Sequence, residues 1–321
     1  PVPIRKQGWL KRSLRDYRVL LLDTRGNGLS TRVDYQTLSL EGDAQSQADY
    51  LKHFRADNIV RDAEAIRAHL SPGEPWSTIG QSYGGWCTMT YLSLHPEGLK
   101  ECFIFGGVPG LDRNAREIYE GTFPFVEERN RQYFEKFPED KERLVKLSRH
   151  LQENDVRMPN GDRLTPRRVQ LLGLKLGFAE AAEEIHFLLE EALMRTGSRE
   201  VVSHAFMKGL SASIPFDSNP IFALLHEAIY AQGSASGWAC DAVQRESYAH
   251  YDDFEDFRFY GEMIVPWMFD EISELRGMKG AADILAAKDD WPDLYDKEVL
   301  GKNTVPIACA VYYKDMFVNT R

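Results

Sequence analysis

Trp76-Ser77-Thr78-Ile79-Gly80-Gln81-Ser82-Tyr83-Gly84-Gly85 is the stretch on which the reading of this 321-residue chain turns. A short β-favouring run, 76–79, enters the pattern G-x-S-x-G, and a helical segment follows through Thr88, Tyr91 and Leu94 until His95-Pro96-Glu97-Gly98 ends it. A serine between a strand and a helix occupies a tight, strained turn that lifts its hydroxyl out of the sheet. Glycines flank it because a neighbouring Cβ would strike the adjoining strand or helix. The helix also points its N-terminus at this spot, so the backbone N–H of Tyr83 is placed to donate to an oxyanion. Ser82 is therefore a candidate nucleophile.

Outward from this turn, strand-like and helix-like segments alternate. Tyr17-Arg18-Val19-Leu20-Leu21-Leu22-Asp23 reads as a buried strand, 24–47 as a turn-rich stretch and 49–69 as one helix with Leu51, Phe54, Ile59, Ala63 and Ile66 on a face. Residues 99–105 supply a further strand, and the alternation predicts an α/β fold: a mostly parallel sheet with helices on both faces. From about residue 112 the pattern turns helical and charged, with almost no strand signal up to about 253. Asn160-Gly161 reads there as a tight turn, and Thr165-Pro166 as the N-cap and first residue of a helix. A last buried strand is expected at Val305–Tyr313, ending at Lys314-Asp315. The expected division is a first part of the core over 1–110, a mainly helical cap over 111–295, and a return to the core over 296–321.

Composition narrows the function classes. The chain is 43% hydrophobic and 12% aromatic, which suits a globular core. Its 39 Lys and Arg stand against 49 Asp and Glu, a net charge of −10, so no broad basic face is available for nucleic acid. No apolar run reaches the roughly 18 residues of a membrane span, and no signal-peptide core precedes residue 16, so a cytoplasmic location is expected. Cys87, Cys102, Cys240 and Cys309 are too widely spaced for a CxxC zinc pair and read as reduced, mostly buried thiols, so no metal site is expected from them.

A serine hydroxyl needs a base, and the base needs a carboxylate to orient it. Asp315 fits the acid, because it follows the last strand at the sheet edge where Ser82 also emerges. The base is harder to assign: His53, His69, His95, His150, His186, His204, His226 and His250 all precede Asp315. His226 reads as a histidine packed beside aromatic residues rather than a displaced base. Asp23, Arg25 and Ser30 read as a structural turn, with Arg25 tying loops together. The acidic run Asp252, Asp253, Glu255 and Asp256 lacks a calcium-loop pattern and reads as a solvated face.

Asp23-Thr24-Arg25-Gly26-Asn27-Gly28-Leu29-Ser30 resembles the D-x-R-G-x-G-x-S segment of prolyl aminopeptidases (proline iminopeptidases), serine peptidases of the α/β-hydrolase fold. Further segments resemble the longer branch of that family, in order along nearly the whole chain. They are 54–62, 80–85, His226-Glu227-Ala228-Ile229-Tyr230, Gly261-Glu262-Met263-Ile264 and Tyr313-Lys314-Asp315-Met316. The resemblance implies that Ser82 attacks the carbonyl of an N-terminal proline in a small peptide, that Asp315 is the triad acid, and that no cofactor takes part. It implies that cap glutamates hold the proline imino group, with Glu227 matching one such position and Glu262 a second. Trp238, Trp267 and Trp291 are candidates either for a crevice wall suited to a flat proline ring or for ordinary core.

Family members also carry a glycine-rich oxyanion segment before the stretch seen here as Gly8-Trp9-Leu10, and a histidine shortly after the strand ending at Asp315. Neither is found in this sequence. It therefore reads as a fragment, expected to hydrolyse substrate poorly or not at all and to expose sheet edges and apolar faces. The rival readings are another capped α/β-hydrolase, an esterase or broader aminopeptidase, and a non-catalytic binding protein on a hydrolase scaffold.

Overall fold

The computed structural model describes residues 8–318 apart from 214, 215 and 217. Its principal sheet holds three parallel strands, β1 (Trp76–Gln81), β2 (Leu99–Phe105) and β5 (Ile307–Ala310), in the spatial order β1-β2-β5. Trp76 pairs with Leu99 and Gln81 with Phe105, while Cys102 pairs with Ile307 and Phe105 with Ala310. The Tyr83–Leu94 helix makes the crossover from β1 to β2, as a parallel pair requires. Between β2 and β5 the chain is mainly helical, and the parallel strands bring the Ser82 turn after β1 and the 315 loop after β5 to the same end of the sheet.

Three expectations about elements change. Tyr17–Asp23 belongs to no strand, and Leu20, Leu21 and Leu22 are exposed. A strand is stabilised by a ladder partner, and among the described residues no strand pairs with this run; its contacts include the Tyr17 hydroxyl donating to Glu101 at 2.9 Å and the Leu29 N–H donating to the Asp23 carboxylate at 2.9 Å. The expected last strand is likewise short and exposed rather than buried, because β5 pairs on one edge only. Within the helical block, β3 (Leu193–Thr196) and β4 (Arg199–Val202) form an antiparallel hairpin closed by Gly197-Ser198. Gly197 supplies the positive φ, +61°, that such a two-residue loop needs.

The predicted single helix over 49–69 is two helices, Ala44–Leu51 and Ala56–Leu70, joined by a 3₁₀ turn. Arg55 breaks it. Its side chain is almost wholly buried and donates to the carbonyls of Ala228 (3.1 Å), Ala231 (2.5 Å) and Pro292 (2.7 Å). The guanidinium also lies 4.5 Å over the Trp291 ring. Turning inward requires the extended backbone seen at Arg55, φ −82° and ψ 175°.

The largest apolar cluster joins Val33, Leu38, Leu51 and Phe54 to the helical block, through Phe123, Leu224, Met268 and Leu285 among others. Residues early in the chain thus share a core with the insertion rather than with the sheet. A smaller cluster of Val60, Tyr91, Leu92, Leu99 and Cys102 covers one face of β2. Cys102 and Cys240 are buried, Cys87 is half-buried and Cys309 is exposed; all four are free thiols. Among the described residues, no helix is long and apolar enough to cross a membrane.

Arg25 does tie loops together: it grips Asp62 with two hydrogen bonds, 2.6 and 2.7 Å, and donates to the His53 carbonyl. Met158 and Gly161 close the turn at Asn160-Gly161. The Thr165 hydroxyl, expected as a cap, instead donates to Glu271 at 2.7 Å, although Pro166 does open the Pro166–Gln170 helix. Glu255 and Asp256 sit on the surface in ion pairs with Arg149, Lys141 and Arg258.

Candidate active site

Ser82 stands at the junction of β1 and the Tyr83–Leu94 helix with φ 50° and ψ −122°, a conformation L-residues seldom adopt. The turn is held by the Ser82 N–H donating to the Phe105 carbonyl (2.9 Å) and the Gly85 N–H donating to the Ser82 carbonyl (2.7 Å). A Cβ on Gly80 would lie 2.2 Å from the Gly84 carbonyl oxygen. Gly84 itself has open space, so only one of the two motif glycines is required by contact. Two glycines beyond the motif matter as much. A Cβ on Gly107 would come within 2.2 Å of the Ser82 carbonyl oxygen, and one on Gly85 within 2.0 Å of the Gly107 oxygen. The segment following β2 thus packs directly against the serine turn.

Tyr83 opens the helix, where a backbone N–H has no intrahelical acceptor, so it is free to serve as the oxyanion donor. Its side chain packs away from the solvent, beside Ala56, Trp86 and Tyr295.

Ser82, Asp315 and Glu262 line one cavity of about 460 Å³. Asp315 hangs from the loop after β5, where its carboxylate accepts from the Phe317 N–H at 2.8 Å and the Val318 N–H at 3.3 Å. Backbone donors so fix one carboxylate oxygen, Oδ1. Glu262 is held up to about 7, from an ordinary 4.5, chiefly by burial and further by the neighbouring Asp315 carboxylate. Near neutrality it therefore changes charge easily, and a cation brought into the cavity favours its ionised form.

Glu227 is not brought to this cavity. It is buried, and its two carboxylate oxygens accept from the N–H groups of Ala239 (3.1 Å) and Cys240 (2.9 Å), at the start of the Ala239–Ser247 helix. Burial raises it to about 7, against the lowering pull of these hydrogen bonds. Each of its oxygens accepts a backbone N–H, which ties it to the start of that helix.

None of the eight histidines lines the cavity. His226 is buried beside Tyr119, Phe222 and Tyr230, and burial lowers it to about 4, which fits the aromatic packing expected of it. The tryptophans do not form the wall either. Trp291 lies beneath Arg55, Trp267 beneath Arg167, and Trp238 packs on Phe269 while donating to Asp283. The aromatic wall is built instead from phenylalanine and tyrosine, including Phe178 and Phe317, whose rings are 5.4 Å apart. These residues are scattered over the sequence in no periodic pattern. Only the Phe105-Gly106-Gly107 step, directly after a predicted strand, carried a readable signal.

The alpha/beta hydrolase fold family matches residues 5–164. A proline iminopeptidase of Aeromonas sobria is 49% identical over 319 residues, covering 99% of this chain and 74% of that protein. The proline iminopeptidase aneH of Aspergillus aculeatus is 36% identical over 323 residues, 97% of this chain and 71% of that protein. The strand–serine–helix geometry and this identity agree: the chain belongs to the proline iminopeptidase family, serine hydrolases of the α/β-hydrolase fold.

Proposed function

We propose that the chain carries the nucleophile, the acid and the amine-recognition carboxylate of an aminopeptidase that removes N-terminal proline from peptides. The observation that carries this reading is the shared cavity: the Ser82 hydroxyl and the easily charged Glu262 carboxylate line the same aromatic-walled space. The flat, apolar proline ring packs on the phenylalanine and tyrosine wall, and its secondary ammonium pairs with ionised Glu262. That pairing fixes the scissile carbonyl against Ser82.

In the reaction, the Ser82 oxygen adds to the proline carbonyl and its proton passes to a base. The oxyanion takes a hydrogen bond from the Tyr83 N–H. Collapse expels the amine of the next residue and leaves proline esterified to Ser82, and water then releases it. Asp315 is placed to orient a basic imidazole. The cavity lining holds none among the described residues.

Binding tests the reading without depending on turnover. L-prolinamide binds to the wild-type chain at pH 8, while N-acetyl-L-prolinamide, which has no ammonium, does not. Glu262→Gln weakens L-prolinamide by roughly tenfold or more, the scale of one charge-assisted hydrogen bond. Equal affinity for the two amides contradicts the reading.

A further inference from the structure

The cavity lining contains a second charge that the reaction does not use. Arg129, on the Ala115–Lys136 helix, lines the same space as Ser82, Glu262 and Asp315. The other two arginines of that helix are neutralised, Arg116 by Glu120 and Glu246, and Arg131 by Glu128 and Glu135. Arg129 instead donates from Nη1 to the neutral Gln132 amide oxygen at 3.2 Å, and makes no ion pair among the described residues. It is half-buried, so water screens its charge only partly.

The acids across the cavity leave this cation unspent. Glu262 responds to burial and to Asp315, with no cation contributing, and Asp315 is engaged by backbone N–H groups. One cavity therefore presents a carboxylate awaiting a cation and a guanidinium awaiting an anion. A molecule with an ammonium at one end and a carboxylate at the other satisfies both. Among peptides, only short ones place their two termini in one cavity: each extended residue adds about 3.3–3.6 Å, so a di- or tripeptide spans roughly 7–10 Å. A volume of about 460 Å³ accommodates such a ligand.

We propose that Arg129 is a specificity residue that receives the C-terminal carboxylate of a short, free peptide whose N-terminal ammonium is held by Glu262. This rests on the proline aminopeptidase reading and names its preferred substrate class: prolyl di- and tripeptides with a free carboxylate. A guanidinium suits the task because its fork of N–H groups matches both carboxylate oxygens.

Calorimetric titration of the chain with L-prolyl-glycine and L-prolyl-glycinamide tests it. The wild type binds the acid roughly tenfold more tightly than the amide. Arg129→Gln brings that ratio to about one while leaving the amide's affinity unchanged, and Arg129→Lys keeps part of the preference. A wild type that does not discriminate, or a ratio that survives in Arg129→Gln, overturns the proposal. So does an equal loss on both ligands, which assigns Arg129 to holding the cavity in shape. L-prolinamide, titrated alongside, separates the two levels: if it binds while discrimination is absent, this inference alone falls, and if it does not bind, the functional reading falls with it.

Discussion

Ser82 holds a backbone conformation that its neighbours enforce, and the glycines around it are not equivalent. Gly80→Ala and Gly107→Ala push a methyl to 2.2 Å from backbone oxygen, so each is expected to destabilise the fold by about 2 kcal/mol or more. Gly84→Ala meets nothing within 4 Å and replaces glycine inside a helix, so it is expected to leave stability unchanged or to raise it by up to about 1 kcal/mol. Urea unfolding of the three variants decides this, and equal losses contradict it. The motif itself told of the strained serine, but spacing cannot distinguish a glycine that touches backbone from one that does not. Glu262 makes a second prediction. Its carboxyl is raised to about 7, so between about pH 4.5 and 7 the unfolded chain loses a proton that the folded chain keeps, and stability falls as pH rises through that window. Glu262→Gln removes this penalty: relative to wild type it gains roughly 1–3 kcal/mol at pH 8 and little at pH 4. A gain of the same size at both pH values sinks the assignment.

At the scale of elements, the sequence told clearly of β1, β2 and the helix between them, because strand-to-serine-to-helix is a local pattern. It misled over 49–69, where one apolar face runs across two helices. The break at Arg55 is set by carbonyls at 228, 231 and 292, and no periodicity within the segment reports partners so distant. The 193–202 hairpin was hidden for another reason, since Gly197-Ser198 is its main signal and the surrounding sequence is helical. Arg55→Met leaves these buried carbonyls without a donor, and is expected to cost about 3 kcal/mol or more. A variant unfolding at the wild-type urea midpoint shows that the clamp is dispensable.

Across the whole molecule, two features went beyond the sequence: the gathering of Ser82, Asp315, Glu262 and Arg129 into one cavity, and the removal of Glu227 from it. The position of Asp315 near Ser82 was legible because it follows a strand end. The cavity wall was not, because Phe178, Phe222 and the Tyr312–Phe317 loop are separate segments that only the fold brings together. The exposed faces were expected and are present: Leu20 is 51% exposed, Ile79 42% and Tyr313 86%. Such surfaces favour contact between copies, so sedimentation velocity is expected to show association that increases with protein concentration, and a single concentration-independent species contradicts this. The central claim, that Ser82 is the nucleophile receiving an N-terminal prolyl group, is most directly tested by intact-mass analysis after incubation with L-proline 4-nitrophenyl ester. The activated ester has a good leaving group, so it reports acylation directly. One prolyl group is predicted to accumulate on Ser82, to be reduced in Glu262→Gln, and to vanish in Ser82→Ala. Equal labelling of Ser82→Ala, or a prolyl group mapped to another residue, contradicts the account.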